Sequence, residues 1–176
     1  MKARSLKLGG ILALVLMSSV SFLANAAANS YKMVLIEDVP GVDALQAGKL
    51  AAGIQQTLAS PVWEADNFSR YTNLCVGYTR LGELENAETA CTKAITAAQK
   101  YQQTPASQKR EMRAYAHTNR GVLRLKNNDN LGALEDFKRA AELNTNTINV
   151  HNLQRLELAI RNADIGLELA SVSIPE

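Results

Sequence analysis

One spacing of side chains occurs twice along the chain, and it constrains the fold more than any other feature. Counted from its first residue, each copy places distinctive residues at offsets of 3, 4, 7, 11, 16, 20 and 23. The first copy consists of Tyr71, Leu74, Cys75, Tyr78, Gly82, Ala87, Cys91 and Ala94. The second copy consists of His117, Arg120, Gly121, Arg124, Asn128, Ala133, Phe137 and Ala140. Steps of three and four on either side of a turn residue predict two helices joined at Gly82 or at Asn128.

This pattern resembles the tetratricopeptide repeat, in which helix pairs of about 34 residues stack into a solenoid. The resemblance covers residues 68–101 and 114–146 as two repeats. A weaker echo lies at residues 42–60, where Gly48 precedes Gly82 by one repeat period of the family. It is interpreted either as a degenerate repeat or as chance similarity between helices rich in small residues. The resemblance implies an all-α fold over residues 42–176, a short solenoid of antiparallel helical hairpins closed by a capping helix at residues 148–163.

An apolar stretch precedes the helical region. Residues 31–37 read YKMVLIE and end at an Asp-Val-Pro-Gly sequence typical of turns, so they predict a strand or an extended segment. We assign them to an extended N-terminal arm at residues 27–41. A single strand needs a partner. Two alternatives stay open: the stretch pairs with the tail at residues 167–174, or both ends of the chain are flexible.

The stretch from residue 1 to residue 26 has the features of a secretory signal peptide. Basic residues at positions 2, 4 and 7 precede a short apolar run, and Ala24-Asn25-Ala26 fits an A-x-A cleavage site, which predicts a cut after Ala26. The alternative is an N-terminal membrane anchor, although the apolar run is short for a membrane span. We therefore expect a periplasmic or secreted protein with no stable membrane insertion after cleavage.

The charge of the cleaved chain does not favour nucleic acid as a partner. The full chain has 19 basic and 17 acidic residues, and all three charges before the predicted cut are basic. Cleavage therefore leaves the two signs of charge nearly balanced, with a slight excess of acidic residues. The basic pI of the full chain then gives no indication of nucleic-acid binding. The chain that remains after the cut amounts to one domain that is large enough for a hydrophobic core.

Both cysteines follow the predicted cut. In an oxidising compartment a pair of cysteines predicts a disulfide, and the alternative is two buried free thiols. The resemblance to the repeat places Cys75 and Cys91 on the two helices of one hairpin, at positions that face each other in the family. A bond across this short loop would contribute on the order of 3 kcal/mol in the chain-entropy model.

The sequence carries no recognisable motif for catalysis, metal binding or a cofactor. It has no HExxH, GxSxG or CxxCH sequence and no glycine-rich loop for phosphate. Its two histidines, His117 and His151, lie one repeat period apart, at or beside the position of the family's large aromatic. We expect both histidines to have packing roles, and we expect no enzyme activity, no cofactor and no metal.

The resemblance also implies a binding surface, because the family lines its concave face with residues one turn apart on the first helix of each repeat. The matching residues here are Thr72, Val76, Thr79, Arg80, Tyr115, Thr118, Val122, Leu125 and Lys126. Their apolar and hydroxyl side chains, with cations at one end, favour an extended or helical peptide with an acidic end. The alternative is that the cap or the N-terminal arm covers some of them.

The family members that clamp a terminal carboxylate use Lys and Asn at fixed positions of this groove. Here only the asparagine of the first helix is kept, as Asn73 and Asn119. The resemblance therefore does not extend to the carboxylate clamp. Any partner of this groove would be recognised in another way.

Together these features predict a non-catalytic protein–protein interaction module, an adaptor or assembly factor, that binds a partner protein or peptide in the concave groove. Two alternatives remain. One is a structural subunit that self-associates, and the other is an enzyme or a binder of envelope polymers that lacks a recognisable motif. The sequence leaves the partner and the oligomeric state open.

Overall fold

A computed structural model describes residues 30–37, 39–61, 67–101 and 104–172, with the backbone alone for residues 164–172. The predicted signal peptide and residues 27–29 of the predicted arm lie outside the described residues, and so does the end of the chain from residue 173. Apart from Ser30, the described residues belong to one compact unit.

Most of the described residues are helical and none of them is in a strand, so the all-α fold is confirmed. The helices are α1 (Val42–Gln46), α2 (Leu50–Ala59), α3 (Asn67–Leu81), α4 (Leu84–Lys100), α5 (Ala106–Lys126), α6 (Asn130–Leu143) and α7 (Thr147–Val172). Consecutive helices pack against each other, and α3, α5 and α7 also contact one another in that order. Among the described residues, no helix combines the length and the apolar composition that crossing a bilayer requires.

The same turn geometry ends α1, α3 and α5. Each turn has one residue in the left-handed conformation, Gly48, Gly82 or Asn128, with φ of 75°, 90° and 60°. The next residue donates its N–H to the carbonyl five positions earlier, at 2.8–3.1 Å, which is the Schellman arrangement. Glycine takes this conformation freely, and asparagine takes it more readily than most other residues. The two turns predicted at Gly82 and Asn128 therefore form where the spacing placed them.

The first hairpin, α3 and α4, is crosslinked at its centre. Cys75 and Cys91 form a disulfide with their Cα atoms 4.8 Å apart, as the sequence predicts. Both cysteines are fully buried, and they lie in a hydrophobic cluster with Leu45, Ile54 and Leu74. The cluster therefore joins the crosslinked hairpin to the short helices α1 and α2.

In the second hairpin, α5 and α6, an aromatic ring of one helix packs directly against a glycine of the other. Phe137 of α6 is fully buried, and a Cβ atom built on Gly121 of α5 would lie 2.5 Å from its ring carbon Cε1. The absence of a side chain at Gly121 lets the ring approach the backbone of α5. These two residues occupy the same offsets in the second copy of the pattern as the two cysteines in the first.

The last helix is longer than the predicted capping helix at residues 148–163. α7 runs as one helix from Thr147 to Val172 and packs on both α5 and α6. Residues 167–172, which the sequence offered as a possible strand partner for residues 31–37, are helical. The N-terminal stretch therefore finds its contacts elsewhere.

Candidate functional site

Residues 31–37, here called the N-terminal segment, run extended across the face formed by α3, α5 and α7. Three buried asparagines, one from each of these helices, hold its main chain. Asn152 binds Lys32, Asn119 binds Val34, and Asn73 binds Ile36. The segment therefore runs in the direction opposite to the order of the helices.

Each asparagine makes the same pair of hydrogen bonds. The Oδ1 atom of Asn119 accepts from the N–H of Val34 at 2.7 Å, and its Nδ2 atom donates to the carbonyl of Val34 at 2.8 Å. The corresponding distances are 2.8 and 2.8 Å at Asn73, and 2.9 and 2.7 Å at Asn152. An amide side chain carries both an acceptor and donors, so it satisfies both polar groups of one residue.

The alternation along the segment explains why every second residue is bound. In an extended chain, successive residues point their N–H and C=O groups to opposite sides, so residues 32, 34 and 36 face the helices together. The three asparagines are fully buried. A buried amide without partners is costly, and the main chain of the segment supplies those partners.

Side chains of the segment pack on each of the three hydrophobic clusters that the described residues form. The ring of Tyr31 stacks on Phe137, with centroids 5.8 Å apart and planes inclined by 15°. The guanidinium carbon of Arg155 lies 5.1 Å from the centre of the Tyr31 ring. Met33 and Leu35 pack on the cluster around the disulfide, whereas the side chain of Lys32 is exposed.

The last apolar residue of the segment borders a cleft. Ile36 packs beside Phe68 and Met112, and a cleft of about 280 Å³ opens next to it toward Tyr101 and Tyr115. The hydroxyl of Tyr115 donates to Glu111 Oε1 at 2.6 Å. Burial, followed by this contact with Glu111, raises the pKa of Tyr115 to about 12.

The nine predicted groove residues fall into three groups by exposure. Thr72, Val76, Thr79 and Thr118 are buried, Tyr115, Val122 and Leu125 are half-buried, and Arg80 and Lys126 are exposed. The two cations bind carbonyls at the ends of neighbouring helices. Arg80 donates to Leu45 O at 3.3 Å, and Lys126 donates to Thr79 O at 2.7 Å.

The main chain of the segment is bound by residues that the predicted groove omits. The sequence marks Asn73 and Asn119 only as remnants of a clamp, and Asn152 lies in the helix that the sequence predicts to be a cap. A signal was present, since the step from Asn119 to Asn152 is close to one repeat period. The interval between His117 and His151 is one residue longer than the interval between Asn119 and Asn152. The two histidines therefore predict an alignment of the repeats that is shifted by one residue from the alignment of the asparagines.

A buried carboxylate joins α5 to α6 next to Phe137. Asp136 is 2% exposed and accepts two hydrogen bonds from Arg120, both at 2.8 Å. His117 Nδ1 lies 2.8 Å from Asp136 Oδ1, and Arg124 Nη1 lies 3.0 Å from Oδ2. Burial alone would raise the pKa of Asp136, but the hydrogen bonds from His117 and Arg120 and the charges of both arginines outweigh it and lower the pKa below its usual range.

In the part of the chain that the structure describes, no group of three or more His, Cys, Asp or Glu residues is placed to hold a metal ion. Comparison of the chain with protein-family models, with curated proteins and with solved structures gave no match. The face of α3, α5 and α7 on which the N-terminal segment lies, lined by Asn73, Asn119 and Asn152, is here called the groove.

Proposed function

We propose that this protein is a non-catalytic protein–protein interaction module whose groove binds an extended peptide through its main chain. The observation that carries the proposal is the set of paired hydrogen bonds from Asn73, Asn119 and Asn152 to alternate residues of the N-terminal segment. Main-chain pairing of this kind gives affinity, and side-chain pockets add selectivity. An adaptor or assembly factor requires such a surface.

The tetratricopeptide-like solenoid is part of the same proposal. It is supported by the two copies of the side-chain pattern, by the two hairpins that contain them, and by the left-handed turns at Gly82 and Asn128. The helix pair α1 and α2 has a third turn of this type at Gly48. In a solenoid, the first helices of successive pairs line one face, and the contacts of α5 with both α3 and α7 support such an arrangement.

Export to the periplasm or beyond is the third part. The basic and apolar start of the sequence supports it, and a structural disulfide is common in exported proteins and rare in the cytosol. N-terminal sequencing of the protein recovered from a periplasmic extract tests the location. We expect a start at Ala27, and a start at Met1 would contradict export by cleavage.

Peptide binding tests the groove directly. The peptide Ser30–Glu37 would be labelled and titrated into the chain carrying Val34→Pro. This change removes the N–H from which Asn119 accepts a hydrogen bond, and it lies outside every helix, so it weakens the hold of the resident segment without altering a helical residue. We expect binding, and we expect Asn119→Ala in the same chain to reduce it by roughly ten-fold or more, because two hydrogen bonds are lost.

Methylation of the peptide main chain provides a matched control within the ligand. N-methyl groups at Lys32, Val34 or Ile36 remove donors that the asparagines accept. The same group at Met33 or Leu35 leaves those three donors in place. We expect weaker binding at the even positions only, and equal effects at all five positions would contradict main-chain recognition by the asparagines.

A further inference from the structure

We propose that the N-terminal segment is an exchangeable occupant of the groove, and that the ligand that replaces it is an extended segment with an aromatic residue followed by apolar residues at the second and fourth positions after it. This inference rests on the proposed function, since it names the ligand class and the regulation of the same groove. The resident segment would hold the groove closed until a partner segment of this kind displaces it.

The type of contact allows one segment to replace another. The three asparagines bind the segment through its main-chain atoms, which every residue except proline offers in the same geometry. After release, water can hydrate both the asparagines and the segment, so release need not leave unpaired polar atoms buried. An incoming extended chain that restores all six hydrogen bonds replaces the resident segment completely.

The attachment of the segment allows its release without unfolding a helix. The chain beyond it is anchored separately, because Thr57 Oγ1 donates to the carbonyl of Pro40 at 2.8 Å. Val42 of α1 is buried next to this anchor. The segment can therefore leave the groove while Pro40 and the helices α1 and α2 stay packed.

The side-chain contacts define the sequence that fits. An aromatic residue in the place of Tyr31 meets Phe137 and Arg155, where both stacking and a cation over the ring favour it. Apolar residues in the places of Met33 and Leu35 meet the cluster around the disulfide. The position of Lys32 is exposed and accepts any residue that keeps its N–H.

Tethering sets the strength of the competition. A segment joined to its own groove by a short connection acts as a competitor at an effective concentration on the order of millimolar. A separate peptide of the same sequence must therefore bind the natural chain more weakly than a chain whose segment is damaged. The ratio of the two affinities measures how firmly the resident segment closes the groove.

The test uses the exported chain with its segment intact and the unlabelled peptide Ser30–Glu37 as the probe. Hydrogen exchange of the amides of Lys32, Val34 and Ile36 in the protein reports whether the resident segment leaves. We expect these amides to lose protection as the peptide saturates the groove. We also expect the Val34→Pro chain to bind the peptide about ten-fold more tightly than the natural chain.

Two further measurements keep the test independent of one variant. A chain carrying Tyr31→Ser weakens the segment outside the asparagine contacts, and it should also bind the peptide more tightly than the natural chain. In the peptide itself, Tyr31→Phe should keep affinity because the ring stacking is preserved, whereas Tyr31→Ser should lose it. Equal affinity of the serine peptide would overturn the aromatic requirement.

The remaining outcomes separate this inference from the proposed function. If the weakened chains bind the peptide but the three amides of the natural chain stay protected at any peptide concentration, the segment is a permanent part of the fold. The inference then fails and the peptide groove stands. If correctly folded weakened chains bind no peptide, the proposed function fails, and the inference fails with it.

Discussion

The two hairpins fill the same position between their helices with different side chains. At offsets 4 and 20 of the pattern, the second hairpin has Gly121 and Phe137, and the first hairpin has Cys75 and Cys91. A ring fills the space between helices in one case, and a covalent bond spans it in the other. The ring also forms the surface on which Tyr31 of the N-terminal segment stacks. At this position, therefore, the core of the hairpin and the wall of the groove are the same side chain.

Replacing Phe137 tests this double role. We expect Phe137→Ala to lower the free energy of unfolding by roughly 3–5 kcal/mol, because a fully buried ring is replaced by a cavity. Urea denaturation followed by circular dichroism measures the change. Leu131→Ala on the same helix is the control, since Leu131 is 78% exposed and its removal should cost less than about 0.5 kcal/mol. An unchanged midpoint for Phe137→Ala would mean that the ring is not buried as described.

The carboxylate of Asp136 gives the stability of the domain a dependence on pH. Its pKa is lower in the folded state than the value of about 3.9 in an unfolded chain. Between the two pKa values the unfolded state binds more protons, so the contribution is full above about pH 5 and is lost as the pH falls through the folded pKa.

Asp136→Asn removes both the charge and this dependence. At pH 7 we expect the variant to lose roughly 3 kcal/mol, because three cationic or hydrogen-bonding partners lose their buried carboxylate. The difference from the natural protein should shrink toward pH 3, as measured by thermal unfolding across a pH series. Glu135→Gln, an exposed neighbour on α6, serves as the control and should change little. A difference that stays constant with pH would argue against an ionised Asp136.

At the scale of the elements, the disulfide between α3 and α4 joins cysteines separated by 16 residues. Replacing both Cys75 and Cys91 by Ala should lower the free energy of unfolding by on the order of 3 kcal/mol, since the unfolded chain regains the freedom that the loop removed. Urea denaturation with and without a reductant measures this change. The double variant should not respond to the reductant, whereas the natural protein should. Identical curves for both proteins without reductant would show that the bond contributes no stability.

The helical elements were predictable because their signals are local. The apolar and small residues of the pattern repeat at helical spacing. Gly82 and Asn128 lie in turns between two helices, where a residue in the left-handed conformation is required. The asparagine contacts were less predictable, because they join residues 37, 85 and 120 apart in sequence. The hydrogen bonds that these asparagines form also depend on which extended segment lies in the groove. The extended character of residues 31–37 could be inferred, but its partners could not, since they are side chains rather than a strand.

At the scale of the whole molecule, the N-terminal segment makes contacts that a simple repeat array lacks. In such an array each unit touches only its neighbours, so separate parts can unfold at different free energies. Here one extended chain binds α3, α5 and α7 at once. We therefore expect the slowest amides of α3 and α7 to exchange at the same free energy in the natural protein.

In the Val34→Pro variant, the exchange free energies of α3 and α7 should differ. The substitution removes the central contact with Asn119, so α7 should exchange at a free energy about 1–2 kcal/mol lower, whereas α3 stays tied to α4 by the disulfide. Native-state hydrogen exchange at increasing urea concentration measures both. Lys32→Ala, which alters an exposed side chain of the same segment and keeps its N–H, is the matched control and should leave the two helices together. If α3 and α7 still exchange at one free energy in Val34→Pro, the packing of neighbouring hairpins is sufficient to couple the unfolding of the two helices. The segment then binds to the folded domain without contributing to its cooperative unfolding.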